Sequence, residues 1–201
     1  MLSESAAIHS HLLEVAATLG EPLAQAIEAN GALVLIASQS NSLPQQLCHT
    51  VAGQQLSTKA AQSIWNRVVA SANSASLIEH FSNSDVDSLR GCGLSAAKAK
   101  AIIGIAQAAQ SGQLEATELS ALSTSERTAR LTALWGVGQW TADMINLFYF
   151  GDADVWPDGD VTARKTLERL TSKRRKTQKT AACFSPHRSY LALHMWRYVD
   201  A

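Results

Sequence analysis

Two stretches of the chain carry residue types and spacings that could do chemistry: Leu134-Trp-Gly-Val-Gly-Gln-Trp-Thr-Ala-Asp143 and Asp154-Val-Trp-Pro-Asp-Gly-Asp-Val161. The first reads as the turn of a helical hairpin. Gly136 and Gly138 leave room for close backbone approach, Val137 can anchor the turn in the core, and the next helix adds the partial positive charge of its N-terminus. Such a turn can hold a phosphate without a side-chain charge, although a tight turn between helices uses the same glycines for packing alone. The second stretch puts Asp160 at a helix start, 22 residues after Gly138. A carboxylate near a phosphate grip suits chemistry on a nucleic acid. Asp160 can also be the N-cap of that helix, and the two roles are compatible because a cap fixes the carboxylate in place.

These residues need helices to position them. Apolar residues recur at helical spacing and strand alternation is nearly absent, so the expected fold is all-α. Ile8, Leu12, Val15 and Leu19 share one face of a first helix that ends at Gly20. Leu43–Ala52 reads as helix with Pro44 in its first turn. Ser57, Ser84 and Ser95 are placed to cap three more helices, the last stopping near Gly112. Thr124, Arg127 and Leu131 open the helix that leads into the two-glycine turn. Gln139–Phe150 follows as the second hairpin helix, then Val161–Leu170 and Arg188–Val199. The run Ala32–Ala37 is too short and polar-flanked for a convincing strand; buried helix or connection fits better.

The chain has 201 residues, 46% of them hydrophobic, enough for one full core or two small lobes. Net charge is zero, yet ten Lys/Arg (Arg164, Lys165, Arg169, Lys173, Arg174, Arg175, Lys176, Lys179, Arg188, Arg197) face only Glu168 and Asp200 from Val161 to Ala201. That segment carries +8 and residues 1–160 carry −8. A solvated face and a phosphate-facing surface both account for the run. Cys48, Cys92 and Cys183 are scattered, form no metal or disulfide pattern, and read as small buried hydrophobes in a reducing compartment. No signal-peptide pattern is read, and no apolar stretch approaches the roughly 18 residues of a membrane span.

Taken in order, Gly53-Gln-Gln-Leu-Ser57 with Lys59-Ala-Ala61, Gly93-Leu-Ser-Ala-Ala-Lys98, the hairpin Leu134–Ala142, Pro157-Asp-Gly-Asp-Val161 and Ser185-Pro-His-Arg-Ser189 resemble the helix–hairpin–helix DNA glycosylase superfamily, in its DNA-3-methyladenine glycosylase II branch. The resemblance implies two helical lobes with a cleft between them. Residues 1–42 would pack with the C-terminal lobe, 43–151 would form the middle lobe with the hairpin 134–142, and 152–201 the C-terminal lobe. It implies a monofunctional enzyme of base excision repair that flips alkylated purines of the 3-methyladenine and 7-methylguanine type out of duplex DNA and hydrolyses the N-glycosidic bond.

By that resemblance Asp160 is the catalytic carboxylate, stabilising positive charge on the sugar as the bond breaks; Asp158 is the runner-up, and Asp152 and Asp154 look like solvated loop acids. Trp140, Met144 and Trp196 match the base pocket, where an indole face attracts a cationic base; core aromatics fit the two tryptophans as well. Met144 stands where relatives often carry tyrosine, Trp135 where many carry proline, and Phe184 where many carry tryptophan. Gly136, Val137, Gly138, Gln139, Thr141, Ser57 and Arg188 would contact DNA. Gln54, Gln55 and Leu56 would line the gap left by the flipped base, with Gln55 matching the inserted position and Leu56 competing. Backbone carbonyls of Thr132, Leu134 and Val137 match a structural Na+ or K+ site.

No cofactor is required by this reading. Trp140 stands where lyase-active relatives have lysine, so strand cleavage through a Schiff base is not expected. Neither an iron–sulfur cysteine set nor a spaced zinc set is present. His187, beside Arg188, could touch a phosphate. The expected partner is double-stranded DNA with alkylated bases, not a membrane, and the expected state is a monomer, cytoplasmic and nucleoid-associated in a bacterium or nuclear in a eukaryote. The competing readings are a non-catalytic helix–hairpin–helix module that binds damaged or distorted DNA, and a helical protein adaptor.

Overall fold

The computed structural model of the chain describes residues 2–73, 76–172 and 174–200, so Lys173 of the basic run lies outside the described residues. Helices are the only regular elements among them: α1 Leu2–Leu19, α2 Glu21–Asn30, α3 Leu43–Gly53, α4 Thr58–Ser71, α5 Leu77–Asn83, α6 Val86–Gly91, α7 Ala96–Gln110, α8 Ala116–Ser120, α9 Thr124–Thr132, α10 Gln139–Ile145, α11 Val161–Leu170, α12 Thr177–Ala182 and α13 Arg188–Asp200. A wider π-turn, Asn146–Phe150, extends α10, and the chain then turns at Gly151, whose φ is +74°.

The chain forms two compact units, Met1–Ala37 with Asn146–Ala201, and Ser38–Ile145. The resemblance implies boundaries at 42/43 and 151/152; these units divide after Ala37 and after Ile145, where α10 passes into the wider π-turn.

In the first unit α2 packs on α1, α11 and α13. Leu12, Leu23 and Ile27 share a core with Leu167, Phe184 and Met195, all buried. In the second unit α7 is central: α3, α5 and α6 pack against it, and α10 packs on α3 and α9. Leu47, Val51, Phe81, Ile102 and Leu131 are fully buried there. Burial of these side chains, worth roughly 1.5–3 kcal/mol each, drives both packings.

Local signals set most boundaries. Ser57 and Ser95 accept the N–H of Ala60 at 3.3 Å and of Lys98 at 3.2 Å, as N-caps do. Ser84 does not cap α6. Its hydroxyl donates to the His80 carbonyl, and Asp85 caps instead by accepting from Ser88 N–H at 2.7 Å. Ala32–Ala37 is an extended connection, and it is not buried: Val34 is 46% and Ile36 73% exposed. Cys48 and Cys92 are buried as expected, whereas Cys183 is exposed.

Candidate functional site

The hairpin in the second unit joins α9 to α10. Gly136 has φ +83°, and a Cβ there would lie 2.5 Å from the Cβ of Ala101, so both backbone conformation and the approach of α7 demand glycine. Val137 is buried, and its N–H donates to the Leu134 carbonyl at 3.1 Å. Gly138 has nothing within 4 Å of where a Cβ would stand, which leaves open space at the start of α10. Backbone N–H groups facing that space can receive an anion. The Gln139 amide donates to Asp143 one turn on at 2.8 Å. Trp135 is exposed, with the Lys100 ammonium 4.7 Å from its ring centre.

A brace ties this hairpin to the loop after α3. The Gln54 amide donates to the Gly136 carbonyl at 3.2 Å and to the Thr141 hydroxyl at 2.9 Å. From the other side, Lys98 donates to the carbonyls of Ala52 at 3.0 Å and Gln54 at 2.6 Å. Burial pulls the Lys98 ammonium below its usual pKa. Gln54 is thus spent inside the unit, while Gln55 and Leu56 are exposed at the loop tip. Gln55 holds φ +58°, a left-handed conformation uncommon for a side chain other than glycine.

In the first unit Asp160 caps α11. Its Oδ1 accepts from Ala163 N–H at 2.8 Å and from the Trp196 indole Nε1–H at 3.0 Å. Trp196 lies against Phe148, with ring centres 5.7 Å apart. The loop leading to Asp160 is stapled by the start of α13. Arg188 donates from Nε to Asp154 Oδ1 at 2.7 Å and from Nη2 to Oδ2 at 3.0 Å, while Ser185 donates to Oδ2 at 2.8 Å. Ser189 donates to the Asp152 carbonyl at 2.6 Å and accepts from Val155 N–H at 2.9 Å. Burial raises the Asp154 carboxyl, but the donors from Arg188 and Ser185 outweigh it and hold it below the ordinary range. Asp158 accepts from Trp156 Nε1–H at 3.0 Å, from the Thr177 hydroxyl at 2.6 Å and from the Gln178 amide at 3.0 Å.

Residues 48–184 match the family described as HhH-GPD superfamily base excision DNA repair protein. This chain belongs to that superfamily. A DNA-3-methyladenine glycosylase of Schizosaccharomyces pombe is 32% identical over 76% of this chain and 71% of its own. A second protein from that organism, an alkylbase DNA glycosidase-like protein, is 26% identical over 75% of each. The solved 3-methyladenine DNA glycosylase of Schizosaccharomyces pombe in complex with abasic DNA superposes with a TM-score of 0.80 at 27% identity, covering 96% of this chain and 97% of that one. A DNA-3-methyladenine glycosidase from Bacillus halodurans gives 0.75 at 28%, covering 92% and 87%.

Against that superfamily pattern, several side chains do other work than expected. Trp140 and Met144 are half-buried on α10. Trp196, matched to the base pocket, also gives its N–H to Asp160. Arg188, expected on DNA, is held by Asp154, which is no solvated acid. Thr141 is 1% exposed, and its hydroxyl serves the hairpin from inside by accepting from Gln54. Asp158 is consumed by three donors and is a structural anchor. His187 lies edge-on to His11, ring centres 5.5 Å apart, with Nδ1 buried. Ser57, expected both as a cap and as a DNA contact, does cap α4. Sequence reasoning missed the staple of Ser185 and Ser189 and the brace of Lys98, although the motifs containing all three were in view. Among the described residues no three or more His, Cys, Asp or Glu could hold a metal ion, and no helix is long and apolar enough to cross a membrane.

Proposed function

We propose that this chain is a monofunctional DNA glycosylase of the DNA-3-methyladenine glycosylase II type, releasing alkylated purines from duplex DNA as free bases. The observation that carries the reading is the fixed carboxylate of Asp160, held by a helix N-terminus and an indole N–H at the head of α11. Breaking an N-glycosidic bond builds positive charge on the sugar, and a preoriented anion stabilises that charge without reorganising. An alkylated purine is already cationic and leaves without a strong general acid, so one carboxylate suffices. Each tenfold of rate needs about 1.4 kcal/mol of such stabilisation.

The hairpin would grip a phosphate through backbone N–H groups at Gly138 and the start of α10, and Gln55 or Leu56 would fill the gap left by the base. Trp140 and Met144 would take the aromatic base. A Na+ or K+ at the carbonyls of Thr132, Leu134 and Val137 would add positive charge behind the hairpin; the Leu134 carbonyl, already accepting Val137 N–H, keeps a second lone pair for it. With Trp140 in the lyase-lysine position, strand cleavage is not part of the reaction.

The test is a base-release assay on duplex DNA treated with a methylating agent, with Asp160→Asn as control. The expected products are free methylated purine and an intact strand with alkali-labile abasic sites, and Asp160→Asn should bind DNA without releasing base. Near-normal turnover by that variant rejects the role of Asp160. Tight, salt-sensitive binding with no release by the parent protein favours a non-catalytic module.

A further inference from the structure

The basic run is left unexplained by the hairpin and by Asp160. Arg174, Arg175, Lys176 and Lys179 are all exposed, and none of their side chains forms an ion pair or hydrogen bond with a described residue. Two hollows flank the run. One, of about 320 Å³, is shared with Asp158, Arg164 and Glu168. Its acids are already engaged, Asp158 by three donors and Glu168 by Arg164 at 3.4 Å. The other, of about 460 Å³, is lined by Arg174, Arg175, Lys176, Lys179, Thr180 and Cys183, four cations with no carboxylate. A solvated face ordinarily mixes signs, because unpaired like charges repel.

The run is also held in place. Ser172 closes the turn before it, accepting from Arg174 N–H at 3.2 Å through its hydroxyl and from Arg175 N–H at 3.1 Å through its carbonyl. On the far side Thr177 and Gln178 bind Asp158, two residues before Asp160. The Asp158 carboxylate therefore anchors the chain that carries the cations, two residues from Asp160. With the backbone held at both ends, a ligand has only the side chains of these residues left to order.

We propose that Arg174, Arg175, Lys176 and Lys179 form a second contact for the DNA backbone, separate from the hairpin, which takes one or more phosphates flanking the lesion without reading sequence or damage. The glycosylase reading supplies the identity of the polyanion. Duplex DNA presents a charge every ~1.7 Å of its axis, dense enough to meet several of these cations at once.

The test is a fourfold variant, Arg174→Gln, Arg175→Gln, Lys176→Gln and Lys179→Gln, compared with the parent in duplex affinity across a salt series, on unmodified and methylated duplexes, and in base release at saturating protein in a single turnover. Affinity at low salt should fall roughly tenfold or more, equally on both duplexes, and the slope of log affinity against log salt should flatten by about two or more. Single-turnover release at saturation and the melting temperature should stay those of the parent. Unchanged affinity and slope overturn the contact, whatever the activity. A flattened slope with no base release by the parent upholds the contact and rejects the glycosylase reading. A parent that binds no duplex overturns both. Lys179→Glu alone should weaken binding further than Lys179→Gln; equal binding by the two also counts against the contact.

Discussion

The indole Nε1–H of Trp196 donates to Oδ1 of Asp160 across 3.0 Å and 36 residues of chain, and Ala163 N–H donates to the same oxygen at 2.8 Å. The carboxylate is therefore aimed by two donors from different helices. A tryptophan matched to the base pocket thus also orients the acid, which makes it a positioning residue in the proposed reaction.

Trp196→Phe keeps an aromatic ring beside Phe148 while removing the donor along with part of the indole's volume. Base release at saturating DNA should slow by roughly tenfold, about 1.4 kcal/mol, within the range of a lost hydrogen bond to a charged group. Duplex affinity should stay within about twofold of the parent, because the ring and the hairpin remain. A variant as fast as the parent shows that the bond does not position Asp160.

Asp158→Asn and Arg188→Met should separate structure from chemistry. Asp158 anchors α12 through Thr177 and Gln178, and Arg188 staples the loop through Asp154. Each change should cost about 1–3 kcal/mol of stability, a fall of a few degrees in melting temperature at this size. Arg188→Met should leave the salt dependence of duplex binding at its parent value. A flatter salt slope in Arg188→Met returns this residue to the DNA contacts.

What the sequence made legible follows the range of each interaction. Ser57, Ser95 and Asp160 cap helices through bonds three residues away, so residue type and spacing suffice to place them. The glycine at 136 is legible as a turn residue, though its clash partner Ala101 is not. The pairs Asp154–Arg188 and Asp160–Trp196 are 34 and 36 residues apart and exist only once α11 and α13 share a core. Hence Arg188 reads from sequence as a free cation for phosphate, and Asp154 as a solvated acid. Ala32–Ala37 is the connection that is one of its two readings from sequence, but its exposure is not legible there: apolar composition suggests burial, and only tertiary packing decides which residues are covered.

The Lys98 brace gives a third prediction. Lys98→Met keeps the methylene stem and removes the donor to Ala52 and Gln54 carbonyls, so the Gln55 loop should loosen. The expected result is a rise in KM for methylated duplex of roughly threefold to tenfold, with single-turnover release at saturation little changed, plus a stability loss of about 1–2 kcal/mol. Lys98→Arg, which restores a cationic donor, should recover part of the KM. Equal KM in Lys98→Met and parent means that the loop holds its shape without the brace.

The pH dependence of stability should be dominated in part by His194. This side chain is fully buried, its Nδ1 lies 3.2 Å from the Asn30 amide, and its Nε2 has no partner. The amide donates to Nδ1, so the ring proton sits on Nε2 in the neutral form. Burial, with the His9 ring 5.8 Å away adding like charge, lowers its pKa from 6.5 to about 4. The unfolded chain therefore takes up this proton first as pH falls. Stability present above pH ~6.5 should decline between about 6.5 and 4, by at most ~3 kcal/mol from this group. His194→Gln retains an acceptor for Asn30 and cannot titrate, so denaturant midpoints measured from neutral to mildly acidic pH should fall less steeply than in the parent. Parallel slopes in the two proteins would remove His194 from the account and leave the acid sensitivity to other groups.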